Sequence, residues 1–390
     1  MDVPHPRLKL YPLIRHWDSL DKQQQTRLIR SLNKIDRGTW REQIRVLTAD
    51  SFLEPVEPLP SEWITKNIPF HCKERGFSYM QQGKTGTIVL AGGEGSRLRY
   101  TEPKGCYPIF PNTSLFGLLA KRVVLASQKA QRSLPLAIMT SPSNHEASVA
   151  HFREHHFFGL EESQLFFFSQ TTLPLLDEEG QPFLSDGSTL AEGPDGNGRV
   201  FHHFLHSFVG KAWTQQGIEY IQVLSIDNPL GNPYDEEWIG FHAENKLEIS
   251  LRSILPKNPE EKLGRLGCRQ KKPCIVEYTE LPQKLAENTL GNTGLFCFTL
   301  SFLQKHQKAL DSLPLHKAWK KTVSFGQEKW AWKFETFLFD LLPLCSHFQT
   351  LLSDRNQYFA PLKNAQGEDS PESVRSLVQN QDWVIHSLQR

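Results

Sequence analysis

The run Ala91-Gly92-Gly93-Glu94-Gly95-Ser96-Arg97-Leu98, followed by Pro103-Lys104-Gly105, sets glycines beside fixed cations. A residue without Cβ lets backbone N–H groups approach phosphate oxygens, and Arg97 and Lys104 add positive charge. A triphosphate, densely anionic, suits such a loop. The alternative is a tight strand-to-helix turn carrying solvated basic side chains. A bare GGxG leaves that alternative ahead, whereas Arg97 and Pro103-Lys104 favour phosphate. Two familiar phosphate loops do not fit. Gly83-Lys84-Thr85 ends like a Walker loop, but Ser78 stands where its first glycine belongs, and the run precedes the strand. In a dinucleotide fingerprint Leu98 replaces the third glycine.

Other residues have chemical potential on their own. Asp227 directly follows the apolar run of "IEYIQVLSIDNPL". Mg²⁺ is commonly held by one or two carboxylates plus substrate phosphates, although a lone aspartate at a strand end is often only a cap. Gln170 closes "QLFFFSQ" and carries both a donor and an acceptor. "PDGNG", with Gly196 and Asn197, has the residue types of a plain turn. Two histidine groups, His202, His203 and His206, and His151 and His155, could each share one helical face. No carboxylate or cysteine is read as completing either set, so a zinc site is not expected. Lys271-Lys272 and Lys320-Lys321 read as solvated surface.

The elements that must position these residues alternate. The apolar run 88–90 is a strand, and a helix is expected over Leu115–Ala130. "LPLAIMTSP" supplies a strand at 136–139 and "NHEASVAHFREHH" a helix. "QLFFFSQ" reads as strand and "GRVFHHFLHSF" as helix, before the strand that ends at Asp227. Such alternation with short connections predicts an α/β fold with a largely parallel sheet. In that fold ligands bind beyond the carboxyl ends of the strands, where the glycine loop, Thr140-Ser141 and Asp227 all fall. Residues 18–36 predict an amphipathic helix. "LEPVEPLPSEW", 53–63, reads as a linker. A polar loop begins at Lys363, with a short helix expected near 373–380.

The whole chain narrows the options. Lys+Arg 44 against Asp+Glu 43 in 390 residues leaves a net charge of +1. Nucleic acid and membrane are therefore not expected as partners, and any anion must be met by a local cluster. Twenty-five Phe and nine Trp mark a globular chain. The start shows no apolar signal region, and no run approaches the ~20 apolar residues of a membrane helix. The six cysteines form no CxxC pair, which predicts reduced thiols and a cytoplasmic protein.

Taken together the motifs resemble those of sugar-phosphate uridylyltransferases, and most of all the eukaryotic-type UDP-N-acetylhexosamine (UDP-N-acetylglucosamine) pyrophosphorylases. The glycine loop resembles their L-A-G-G-x-G-T-R-L-G…P-K-G. In order follow "RHWDSL" at Arg15, "IMTSPSNHE" at Ile138, "FFGL" at Phe157 and "FFFSQTTLP" at Phe166. Then come "GPDGNG" at Gly193, "SIDNPL" at Ser225, "VEYTEL" at Val276, "FETFLFD" at Phe334 and "APLKNA" at Ala360. Ser96 replaces a threonine of the pattern, Arg99 stands where the family has glycine, and "LGNTGLFCF" lacks an N-H pair. The chain ends soon after Lys363, where the family carries a further domain.

The resemblance implies a Rossmann-like nucleotidyltransferase fold, similar to glycosyltransferase A, with a central mixed, mostly parallel sheet flanked by helices. It implies an N-terminal helical segment (1–60), a catalytic domain (61–345) and a C-terminal segment (346–390) that completes the sugar-phosphate site without a large further domain. The activity implied is formation of UDP-sugar and pyrophosphate from UTP and a sugar-1-phosphate, N-acetylglucosamine-1-phosphate first, with N-acetylgalactosamine and glucose as alternatives. The attacking phosphate oxygen is already anionic, so no general base is needed, and catalysis rests on alignment and charge neutralisation. By position, Arg97 and Lys104 are catalytic, and Ala91, Gly92, Gly93, Gln170 and Gly196 meet the nucleotide, Gln170 reading uracil. Asn197, Glu277, Asn292, Phe337 and Phe339 face the sugar, although alternate phenylalanines also suit a strand's core face. Lys363 reaches a substrate phosphate, and Asp227 holds Mg²⁺. A silent nucleotide-sugar binder is a rival reading, and so is a glycosyltransferase, against which the missing D-x-D counts.

Overall fold

Thr85–Leu90 reads TGTIVL and is buried along most of its length, as a strand paired on both sides must be. It lies inside a ten-stranded sheet, whose strands are β1 (Ile64–Thr65), β2 (Thr85–Leu90), β3 (Leu136–Thr140), β4 (Leu165–Ser169), β5 (Tyr220–Ser225), β6 (Ile249–Ile254), β7 (Arg265–Arg269), β8 (Lys272–Val276), β9 (Gly291–Thr299) and β10 (Phe348–Leu352). This computed structural model describes residues 17–49, 55–93, 95–278, 280, 289–381 and 383. Arg15 and residues 53–54 of the proline-punctuated stretch lie outside them.

The strand order is β1-β10-β6-β9-β5-β2-β3-β4, with β7 joined to β8 and β9. Every pairing along that path is parallel except those of β9 with β5 and β6. The expected mixed, mostly parallel α/β sheet is therefore present.

The chain divides into two units. The first takes the described residues of Met1–Phe52 with Thr171–Arg199 and Leu313–Leu338. Here the helix expected over 18–36 begins later, at α1 (Lys22–Lys34), because Asp21 caps it by accepting from Gln24 N at 2.8 Å. Leu28 and Leu32 bury one face against Leu184 and Leu190. A second helix, α2 (Arg37–Thr48), starts at the Asp36 cap. A hairpin of His316–Ser324 and Gln327–Glu335 completes this unit with the short pair Thr172–Pro174 and Glu192–Pro194.

The second unit takes Leu53–Gln170, Val200–Ser312 and Phe339–Arg390, and it contains the whole ten-stranded sheet. Its helices include α3 (His71–Gln81), α4 (Leu115–Ala130), α5 (His145–Glu154), α6 (Val200–His206), α7 (Phe208–Gln215), α8 (Glu236–Glu244), α9 (Leu300–Lys305), α10 (Gln307–Leu310), α11 (Arg355–Tyr358) and α12 (Pro371–Gln379). The sequence reading places α4, α5, α6 and α12 to within a few residues. Ser114 starts α4 by accepting from Gly117 N at 3.1 Å, and Gln131 ends it in the left-handed region at φ 52°. The buried side of α4, with Phe116, Ala120 and Val123, joins Val89, Leu136, Ile138 and Leu224 in the main core. Residues 55–60 are not loose, since Glu57 and Cys268 exchange backbone hydrogen bonds of 2.9 and 2.8 Å.

Candidate active site

Strand ends decide where the functional side chains go. In parallel strands the carboxyl ends align, and backbone bonds carry that alignment past the last paired residue: Ala91 N donates to Met139 O, Gln170 N to Thr140 O and Ile226 N to Leu90 O. The glycine loop after β2, Ser141 after β3, Gln170 after β4 and Asp227 after β5 thus lie along one edge. β9 runs antiparallel, so its first residues, including Asn292, reach the same edge.

Lys104 sits in a short turn, Lys104–Cys106, well along from the glycines. Its Nζ lies 3.5 Å from Asp227 Oδ2, both side chains being mostly buried. Ser225 Oγ donates to Asp227 Oδ1 at 2.7 Å. The backbone of the Lys363 loop is tied to the same residue, Leu362 N donating to Asp227 O at 2.7 Å. Burial favours the neutral acid, but Lys104, the Ser225 hydroxyl and Lys363 outweigh it and hold the Asp227 carboxyl below its ordinary 3.8. A carboxylate and two cations, about 120 and 140 residues away along the chain, thus share one field. Lys363 also lies 3.8 Å from Asp369.

Gly92 and Gln170 form a second pair. A Cβ on Gly92 would stand 2.5 Å from Gln170 Nε2, so the absence of a side chain there lets the buried amide lie against the loop. Ala91 is buried, and its carbonyl accepts from Asn144 Nδ2 at 3.0 Å, while Asn144 Oδ1 accepts from Ser141 N at 2.8 Å. One asparagine therefore joins the glycine loop to the end of β3. Gly93 is exposed, with open space where a Cβ would be. Arg97 is exposed on the turn Ser96–Leu98. Arg99, at the position of a family glycine, adopts φ 53°, the left-handed conformation in which glycine is free of strain.

Glu277 and Asn292 meet through Gly264. A Cβ on that glycine would lie 3.3 Å from Glu277 Oε1, and Asn292 N donates to Gly264 O at 2.9 Å. Asn292 Oδ1 accepts from Gly294 N at 3.0 Å. Phe339 is buried within the turn Leu338–Leu344 and does not lie on a strand.

The remaining expected residues belong to the first unit. Gly196 has φ 88°, and a Cβ there would stand 2.3 Å from Thr336 O. Its glycine is demanded by that close backbone approach. Asn197 Oδ1 accepts from Leu338 N at 2.9 Å, fixing the turn of "PDGNG". Phe337 is half-buried beyond the strand end, its ring centroid 4.8 Å from that of His316.

Some residues of the second unit were not singled out from sequence. Asn228 donates to Tyr358 O at 2.8 Å and accepts from Ala360 N at 3.0 Å, clamping the Asp227 turn to the segment leading to Lys363. Arg122, from the middle of α4, donates to Pro229 O, Gly231 O and Asn232 Oδ1 at 3.0, 2.7 and 2.7 Å. Burial lowers its pKa to about 10, still far above neutrality. Asn228 stands inside "SIDNPL", so its signal is local, whereas Arg122 gives none.

The histidine groups need a correction. A carboxylate does join each: Glu154 stands with His151 and His155, and Asp311 with His202 and His206. Asp311 comes from a segment about a hundred residues away, which no helical spacing could reveal. The six cysteines are free and buried, and burial raises Cys106 and Cys345 to about 12 and Cys274 to about 11.

A glycine loop on one strand and a carboxylate on its neighbour, both past the carboxyl edge, put the chain in the class of α/β proteins that bind nucleotides beyond their strand ends. Residues 50–368 match the family described as UTP--glucose-1-phosphate uridylyltransferase, and the chain belongs to that family. It is 32% identical to UDP-N-acetylglucosamine diphosphorylase 2 of Arabidopsis thaliana, over 95% of this chain and 81% of that protein. Against the probable UDP-N-acetylglucosamine pyrophosphorylase of Schizosaccharomyces pombe identity is 31%, over 92% and 83% of the two chains. The fold is shared with the Trypanosoma brucei uridine diphosphate N-acetylglucosamine pyrophosphorylase crystal structure, with a TM-score of 0.83 at 22% identity, covering 98% of this chain and 85% of that one.

Proposed function

We propose that this chain transfers the uridylyl group of UTP to a sugar-1-phosphate, N-acetylglucosamine-1-phosphate first among them, releasing pyrophosphate. The observation that carries this reading is the convergence of Lys104 and Lys363 on Asp227 beside the glycine loop. A binding turn has no need of two cations and a carboxylate drawn together from three distant stretches. Family membership and the names of the relatives support the reaction and the sugar.

In this mechanism an oxygen of the sugar-1-phosphate attacks the α-phosphorus of UTP. The new P–O bond forms as the bond to the β-phosphate oxygen breaks, and no proton need move. Gln170 hydrogen-bonds the uracil edge while Gly92 leaves it room. The Lys104 ammonium, at 3.5 Å from Asp227, retains donors for phosphate oxygens. With Arg97 it neutralises charge on the departing pyrophosphate, and Lys363 steadies the incoming phosphate. Glu277 and Asn292 lie on the same sheet edge for sugar hydroxyls, and Asn197, Gly196, Phe337 and Phe339 are assigned to substrate by their place in the motifs. Asp227 fits Mg²⁺ as a ligand, being an ionised oxygen donor, and would hold the ion, whose positive charge would help neutralise substrate phosphates. A cytoplasmic setting is proposed on the buried free thiols, and no described helix is long and apolar enough to cross a membrane.

Pyrophosphate release, measured with UTP against a panel of sugar-1-phosphates, tests the proposal. N-acetylglucosamine-1-phosphate should turn over fastest. A faster reaction with glucose-1-phosphate or N-acetylgalactosamine-1-phosphate would reassign the sugar, and no release with any of them would reject transfer.

A further inference from the structure

His202 and His206 lie one turn apart on α6, with ring centroids 4.5 Å from each other. Asp311 enters from the segment after α10, its Oδ1 2.5 Å from His202 Nδ1. His206 is set up as a ligand by its own hydrogen bonds. Its Nδ1 lies 2.8 Å from His202 O, a contact only an N–H can make, so the proton is on Nδ1. Nε2 is then left with its lone pair outward, and it accepts from Gln307 Nε2 at 3.3 Å. A backbone carbonyl holding Nδ1–H while Nε2 faces outward is the usual second-shell support of a metal-bound imidazole.

We infer that His202, His206 and Asp311 form a binding site for a divalent transition metal of the zinc class, separate from the uridylyl-transfer site. Two neutral imidazoles and a carboxylate match zinc's ordinary donors, and imidazole does not suit Mg²⁺. Tetrahedral zinc with bonds of roughly 2.0–2.1 Å keeps its ligand atoms about 3.3 Å apart. The 2.5 Å contact puts a proton on His202 Nδ1, so binding moves His202 to its Nε2–H tautomer by proton exchange with water, and the pair opens by about 0.8 Å to admit the ion, through rotation of a carboxylate that is half exposed. The Gln307 amide yields its place at His206 Nε2, and water fills the fourth position. The bound ion clips α6 to a segment about a hundred residues later. The second histidine group shares the backbone hold, His155 Nδ1 lying 2.9 Å from His151 O, but its other ligand is occupied: His151 Nε2 is engaged with Ser114 Oγ at 2.8 Å, and the His155 ring is stacked on Phe158.

The test uses the full chain, stripped of metal with a chelator. Zinc affinity is measured by competition with a chromophoric chelator, and thermal melts are run with and without zinc. Wild type should bind zinc saturably and melt higher in its presence, since an ion that binds only the folded state stabilises it. His206→Ala and Asp311→Asn alter exposed side chains, so both should fold. Each should weaken binding by at least about tenfold, the low end for losing even an outer-shell partner, and blunt the zinc-dependent rise in melting temperature. His151→Ala should bind as wild type does. No saturable zinc binding by wild type, or equal affinity in wild type and both site variants, overturns the assignment. Loss in His151→Ala alone would move the site to the other group.

Discussion

Lys104 Nζ and Asp227 Oδ2 lie 3.5 Å apart at the carboxyl edge of the sheet, although 122 residues separate them in the chain. The pair brings the lysine of the glycine-loop motif to the carboxylate after the neighbouring strand, beside the Lys363 loop. A cation that leans on a carboxylate in the resting protein and on phosphate in the complex can contribute most where charge moves, in the transition state.

Lys104→Ala should lower kcat at least about tenfold at saturating UTP, the low end of the roughly 1.5–3 kcal/mol of a charge-assisted hydrogen bond. Lys104→Arg should restore part of it, because a planar fork replaces a compact ammonium poorly in a tight loop. Steady-state kinetics beside thermal melts decide the matter, and near-normal kcat in the alanine variant would leave the lysine only a structural role as the partner of Asp227.

Asp227→Asn removes the charge while keeping the shape. Turnover should fall steeply and not be recovered by raising Mg²⁺, and wild-type activity should vanish with chelator and return with Mg²⁺. A second consequence concerns stability. The folded carboxyl sits below its ordinary 3.8, so its contribution is present above that value and is lost as pH falls through the lower folded value. Urea denaturation at pH 5 and pH 3 should show a larger loss for wild type than for Asp227→Asn. Parallel losses would show that the carboxylate is not held by its cations.

Gly92→Ala places a methyl group where the Gln170 amide now lies, 2.5 Å from its nitrogen. That amide is the far end of a flexible side chain, so the fold should survive and the amide should move. The preference for UTP over CTP and ATP should collapse, as it should in Gln170→Ala. In the double variant the second change should add little, since both remove one interaction. Fully additive losses of base discrimination would separate the two residues.

Arg99→Gly should stabilise the chain slightly. A left-handed conformation costs a residue with a Cβ about 1–2 kcal/mol, and the greater freedom of glycine when unfolded offsets roughly 0.4–1 kcal/mol of that. A net gain of about 0.5 kcal/mol in urea denaturation is expected. A loss of 1 kcal/mol or more would mean the arginine side chain makes contacts that outweigh the strain.

The sequence by itself determined the α/β class, because hydrophobic runs of strand length alternating with helical patterns leave few ways to bury both. It also determined the glycine loop, whose residues are contiguous, and the ends of strands β2 to β5, where Gly92, Gln170 and Asp227 sit. Only the tertiary structure decided which of these meet. Lys104 and Lys363 come to Asp227 because the strand order places β5 beside β2 and because Asn228 and Leu362 tie the 358–362 segment to the Asp227 turn. The insertion of the antiparallel β9 beside β5, which brings Asn292 to the same edge, could not be located in an alternation that reads only as a largely parallel sheet. Arg122 reads as an ordinary helical residue until burial and three carbonyl acceptors give it a task. Asp311 lies far from the histidines it joins. Periodicity reports a neighbour three or four residues away, whereas contacts across a hundred residues depend on how strands and helices pack.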